Sequence, residues 1–242
     1  MRRLLLVTAL LAALASPAAA SAPRLTVFAA ASLTDVFPQI DPHERYSFAG
    51  SNALAAQIRQ GLPADVFASA NVTIPDQLYE QGLVERPVLF TANTLVMIAR
   101  KGNPDHLHGI YSLGGDSGLK IVMAAKGVPV GDYTRTVLAK ADLSGVVGRA
   151  VSQETDVREV LSKVALGEAD VGFVYATDAK AVPGQVAVFA IPRQFQPKVN
   201  YAAAAVKAGS HLAAAEAWVR RLKGKAAQRK LRAAGFLVPG RG

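Results

Sequence analysis

Short apolar runs alternate along this chain with stretches of helical periodicity, and that alternation confines the fold to the α/β class. Leu25–Ala30, Asp65–Ser69, Leu119–Ala124, Val171–Tyr175 and Val186–Ile191 read as strands. Asn52–Gln60, Ile74–Gly82, Gly131–Ala139, Asp156–Leu166 and Leu212–Leu222 read as helices. In the fourth, Val157, Val160, Leu161 and Val164 follow the i, i+3, i+4, i+7 pattern, and Gly167 is placed to end it. Two longer extended runs, Val88–Ala99 (interrupted at Thr91–Thr94) and Val199–Val206, have the length of crossovers between lobes. The pattern predicts mainly parallel sheets in two lobes, residues 22–92 plus 203–242 and residues 93–202. Ligands of open α/β sheets bind beyond the carboxyl ends of the strands, so a cleft between the lobes is the predicted site.

The first residues place a limit on where the protein works. Met-Arg-Arg is followed by the apolar run Leu4–Leu14 and then Ala15-Ser-Pro-Ala-Ala-Ala20, the layout of a cleavable export signal. The run is too short to span a bilayer comfortably. Cleavage after Ala20, with Ala22 the alternative, leaving a periplasmic protein, is the expectation. Losing Arg2 and Arg3 brings 27 Lys and Arg to 25 against 18 Asp and Glu, a formal net charge of +7. The chain has no Cys, which excludes disulfides, thiol catalysis and a Cys-linked lipid anchor. The densest basic cluster is Arg220, Arg221, Lys223, Lys225, Arg229, Lys230 and Arg232. No aromatic residues interleave with it, so it reads as a solvated helix face rather than a nucleic-acid platform.

Serines at strand-to-helix turns carry the functional argument. Ser32 follows the strand Leu25–Ala30, and Ser51 opens the run Asn52–Gln60. A helix start offers unpaired N–H groups and the positive end of the dipole, both suited to an anion. Taken singly, Ser32 and Ser51 fit ordinary helix caps, Asp156 an ordinary helix start, and Tyr175 a core residue with a satisfied hydroxyl. Only their combination points to a site.

That combination resembles the periplasmic molybdate-binding proteins of molybdate ABC transporters. The motifs are Phe28-Ala-Ala-Ala-Ser-Leu-Thr34, Phe48-Ala-Gly-Ser-Asn-Ala-Leu-Ala-Ala-Gln-Ile58, Pro63-Ala-Asp-Val-Phe-Ala-Ser-Ala70, Val128-Pro-Val-Gly131, Asp156-Val-Arg158 and Gly172-Phe-Val-Tyr-Ala-Thr-Asp-Ala179. The resemblance covers essentially the whole exported chain. It implies a hinged, two-lobed binding protein, not an enzyme, that holds molybdate or tungstate through hydrogen bonds alone. It implies ligand contacts from Ser32 and Ser51 by hydroxyl and N–H, from Val130 and Val157 by N–H, and from Tyr175 by hydroxyl. A membrane permease is the implied partner, a monomer the implied state, and no cofactor is implied. Three departures stand out: a short Phe37–Tyr46 segment, which predicts a truncated helix, Asn52 where a small hydroxyl residue is common, and Lys126-Gly127 where an acid and His are common. Arg158, next to Val157, is expected to face outward.

The chemistry fits such a ligand independently. Molybdate at neutral pH is a dianion without a proton, and a site made only of donors matches it. Hydrogen phosphate carries an O–H that such a site leaves unpaired, at a cost of about 1–3 kcal/mol. Sulfate is proton-free and differs by size. Tungstate is nearly isosteric with molybdate. The alternatives are a binding protein of the same fold for sulfate or phosphate and, more remotely, a serine hydrolase built on Gly115-Asp-Ser-Gly118. That segment lacks a His in a comparable context. His106 and His108 form only a pair, short of the ligands zinc requires, and His43 and His211 are isolated.

Overall fold

The computed structural model describes residues 23–115 and 117–240, so the proposed export signal lies outside the described residues. Strands β1 (Thr26–Ala30), β2 (Arg45–Ala49), β3 (Val66–Ser69), β4 (Val88–Asn93) and β10 (Val199–Ala205) form one sheet. Strands β5 (Leu95–Arg100), β6 (Ile121–Ala124), β7 (Ala150–Glu154), β8 (Val171–Tyr175) and β9 (Val186–Ala190) form the other. Among the described residues, eight α-helices accompany them: α1 (Phe37–Ile40), α2 (Ser51–Arg59), α3 (Thr73–Glu80), α4 (Pro129–Lys140), α5 (Val157–Ala165), α6 (Ala176–Ala181), α7 (Leu212–Arg221) and α8 (Lys225–Ala234).

The two sheets share one plan. Their strand orders are β2-β1-β3-β10-β4 and β7-β6-β8-β5-β9. In each, three strands run parallel, and the fourth position holds the strand that arrives from the other sheet. That arriving strand, β10 or β5, is antiparallel to both neighbours. The expectation of mainly parallel sheets is therefore corrected: the ladders divide evenly between the two kinds. β5 follows β4 after the single residue Thr94, and β10 follows β9 after a short helix-poor link, so the chain passes directly from one sheet into the other at both points.

The first sheet is covered on one face by α2 and α3, through Phe28, Leu54, Ile58, Phe67, Ile74 and Leu78. On its other face Phe37, Phe90 and Trp218 meet, with Phe37–Trp218 ring centroids 5.4 Å apart edge-on. The face of α5 predicted from periodicity is buried: Val157, Val160, Leu161 and Val164 are all inside. The boundary placed between residues 202 and 203 falls within β10, which pairs with β4 and β3 along its length. At the crossovers, Gln196 acts as a strand partner for Leu95: its amide nitrogen donates to the Leu95 carbonyl at 2.7 Å, and its oxygen accepts the Leu95 N–H at 3.2 Å. All seven residues of the basic cluster on α7, α8 and the turn between them are exposed.

Candidate functional site

Each sheet sends the carboxyl ends of its three parallel strands to one cavity. From the first come Ala30–Ser32 after β1, Ala49–Ser51 at the end of β2, and Ala70 after β3. From the second come Val128–Val130 after β6, Asp156 and Val157 after β7, and Tyr175 at the end of β8. The cavity is small, about 210 Å³ with its open mouth included. Ser32, Ser51, Val130, Val157 and Tyr175 all line it. Asn52 and Lys126 do not, and Lys126 is exposed.

The local sequence explains each donor. Val130 and Val157 are the second and first residues of α4 and α5, so their N–H groups have no partner within the helix. Asp156 caps α5 by accepting from the N–H groups of Arg158 and Glu159, at 2.7 and 3.1 Å, which leaves Val157 free of the cap. Ser51 is the first residue of α2, not its cap, and makes no capping bond. Its Oγ accepts the Ala70 N–H at 3.1 Å, so its own proton remains to be given. Ser32 sits in a three-residue 3₁₀ turn, Ala31–Leu33, not at the start of an α-helix; α1 begins only at Phe37 and is four residues long. The helix-dipole argument therefore fails for Ser32 and holds for Ser51, Val130 and Val157. Neither serine is the plain cap that it would be alone.

Tyr175 is 1% exposed, and its hydroxyl has no hydrogen-bond partner. Burial pushes its pKa well above the usual phenolic value, so the group is a neutral donor. An orphaned buried hydroxyl costs roughly 1–3 kcal/mol, which a core tyrosine would avoid. Behind it, Asp178 is fully buried and accepts the Tyr175 N–H at 3.2 Å. Burial raises the Asp178 carboxyl to about 6, against the pull of Arg158.

Arg158 does not face outward as expected. Its Nε donates to Asp178 at 2.8 Å, and its other end pairs with Asp35, which follows the Ser32 turn. It thus bridges the two halves of the molecule beside the cavity. Sequence reasoning also missed Gly50 and Asp156 as lining residues. A Cβ on Gly50 would lie 2.3 Å from the Thr155 carbonyl oxygen across the cleft, so the two backbones meet closely there. Burial raises the Asp156 pKa. Gly115, Ser117 and Gly118 do not line this cavity, and Ser117 is exposed.

Two domains of repeated plan, closing on a small pocket walled by hydrogen-bond donors and by the Asp156 carboxylate that caps α5, define a protein that captures solutes. The model of the bacterial extracellular solute-binding protein family matches residues 25–237, and the chain belongs to that family. It is 36% identical over 225 residues to the molybdate-binding protein ModA of Mycobacterium tuberculosis, covering 89% of this chain and 85% of that protein. It is 32% identical to ModA of Escherichia coli, covering 93% of each. Among solved structures, the Azotobacter vinelandii periplasmic molybdate-binding protein matches at a TM-score of 0.77 and 26% identity, over 89% of this chain and all of that one. These relatives are binding proteins of transport, not enzymes, and the family works outside the cytoplasm.

Proposed function

We propose that this protein captures molybdate, and tungstate with it, in the cavity between its sheets and delivers the anion to an ABC permease in the membrane. The carrying observation is the Tyr175 hydroxyl, buried and without a partner at the wall of a donor-lined pocket. Ser32, Ser51 and Tyr175 give hydroxyl protons, and Val130 and Val157 give N–H groups. The anion completes every one of these, and charge-assisted bonds are about twice as strong as neutral ones. The names of the relatives support the choice of molybdate over other proton-free dianions.

The lobes in this reading divide at Thr94 and within residues 191–198, so that β10 belongs wholly to the first. Ser32 and Ser51 come from that lobe, and Val130, Val157 and Tyr175 from the other, so the anion draws the lobes together. A ligand shifts such an equilibrium only by its preference for the closed state. One chain supplies the whole cavity, which fits a monomer. An export signal over residues 1–20 fits delivery to the periplasm.

A thermal-shift panel of molybdate, tungstate, sulfate and phosphate tests the reading. An anion at one hundred times its Kd adds about 2.7 kcal/mol, which raises Tm by about 5–10 °C in a chain of this size. Molybdate and tungstate should give that shift, sulfate less, and phosphate none. Equal stabilisation by phosphate would show that an acceptor such as the Asp156 carboxylate takes the ligand proton, and would overturn the all-donor assignment.

A further inference from the structure

Resting on the oxyanion reading above, we propose that Tyr201 is a positioning residue that makes Ser32 an obligate donor to the anion, and thereby a determinant of selectivity against protonated oxyanions. The argument follows hydrogens through a buried chain of side chains. Ser32 Oγ lies 2.9 Å from the Tyr201 hydroxyl, and Tyr201 lies 3.4 Å from Asn93 Nδ2. Asn93 Nδ2 also reaches Thr177 Oγ1 at 2.8 Å. Ser32, Asn93 and Tyr201 are 3%, 2% and 0% exposed, so bulk water does not compete for these bonds.

The distance alone leaves the direction of the Ser32–Tyr201 bond open, because either hydroxyl can give the proton. The hinge resolves it. The backbone N–H of Thr94, the single residue between β4 and β5, bonds to Asn93 Oδ1 at 3.0 Å. A backbone N–H only donates, so that atom of the amide is the oxygen, and the atom facing Tyr201 is the NH₂. An amide NH₂ only donates, so the Tyr201 oxygen accepts from it. The Tyr201 proton then has Ser32 Oγ as its acceptor. Ser32 Oγ, already accepting, has its own proton left for the cavity that it lines.

The order of protons is thus set at the hinge and read out at the anion. It closes one route by which hydrogen phosphate could be tolerated. A free serine hydroxyl can turn and accept a proton from a ligand. Ser32 keeps a second lone pair, but to accept there it must turn its own proton off the anion, and giving that proton to Tyr201 would leave the Tyr201 hydroxyl unpaired in the interior, where such groups are costly.

The test is calorimetric titration of molybdate and of phosphate into the full exported chain and into Tyr201→Phe, Ser32→Ala and the double variant, with circular dichroism to confirm the fold. Tyr201→Phe keeps the ring and frees Ser32. Molybdate affinity should fall about 3- to 10-fold, the range of one ordinary hydrogen bond, and the molybdate-to-phosphate ratio should fall with it. In the Ser32→Ala background Tyr201→Phe should change molybdate affinity less than about twofold, since coupled residues are not additive. Equal loss in both backgrounds, or an unchanged molybdate-to-phosphate ratio, overturns the role of Tyr201. A wild-type chain that ignores molybdate overturns the oxyanion reading instead. Should Tyr201→Phe fail to fold, Asn93→Asp serves: a carboxylate there takes the Tyr201 proton, Ser32 turns its own toward Tyr201, and the same loss of selectivity follows. Undiminished selectivity in a folded Asn93→Asp protein refutes the proton order.

Discussion

Tyr175→Phe should make the empty protein more stable and the loaded protein weaker, and the opposite signs make it the most informative single change. The ring is fully enclosed, so replacing it by phenylalanine preserves packing against Tyr201, whose ring centroid lies 5.8 Å away. What is lost is a hydroxyl that bonds to nothing in the closed form. Removing an unsatisfied buried hydroxyl relieves roughly 1 kcal/mol or more, so Tm without ligand should rise by about 2–4 °C. With the anion present the same hydroxyl is a donor to a charge. Its loss should weaken binding by about 1.5–3 kcal/mol, or roughly 10- to 150-fold in Kd. Differential scanning and isothermal titration calorimetry on one preparation measure both. A variant with lower Tm and unchanged molybdate affinity would mean that Tyr175 is a core residue whose hydroxyl finds water or protein in solution, and the site assignment would fail there.

Two further changes probe closure and burial. Gly50→Ala suits the local backbone, at φ −57° and ψ 135°, yet sets its Cβ against the Thr155 carbonyl across the cleft; the ligand-free fold should persist while molybdate no longer raises Tm, and retained affinity would show that full closure is unnecessary. Asp178, with a folded pKa of about 6 set by burial, holds a proton in the native state between roughly pH 4 and 6 that the unfolded chain has released. Its contribution to stability is therefore present below about pH 4 and lost as pH rises through 6, by about 3 kcal/mol over the window. Measured against Asp178→Asn by denaturant unfolding, wild type should gain on the variant as pH falls from 7 to 4; a gain in the other direction would mean that the Arg158 pair outweighs burial.

The elements that sequence reveals and those that it hides differ by position in the sheets. β1, β3 and β8 are enclosed on both faces, and their continuous apolar runs announce them. β2 and β7 are edge strands with sequences Arg-Tyr-Ser-Phe-Ala and Ala-Val-Ser-Gln-Glu, whose half-exposed faces break the apolar run, and neither was predicted. Both end beside the cavity, at Ser51 and Val157, so the motifs located the site better than the strands that hold it. The antiparallel entry of β5 and β10 was hidden because direction is a tertiary property. Arg158 was misjudged because its partners, Asp35 and Asp178, lie in other segments of sequence. Tyr201 carried no signal at all: it reads as one more strand residue until the fold sets it against Ser32.

The exchange of strands between the sheets also orders how the molecule can be made. The second sheet is continuous in sequence, and all its strands exist once residue 190 has left the ribosome. The first is not: Ser69, Ala68, Phe67 and Val66 wait for Ala202–Ala205 at the far end of the chain. Until then β3 presents an apolar edge with unpaired backbone groups, which is the template for pairing between molecules. Contacts this distant in sequence form slowly. Refolding should therefore be limited by docking of β10, and changes that delay it should first appear as aggregation at high protein concentration, before any effect on the affinity of the molecules that succeed.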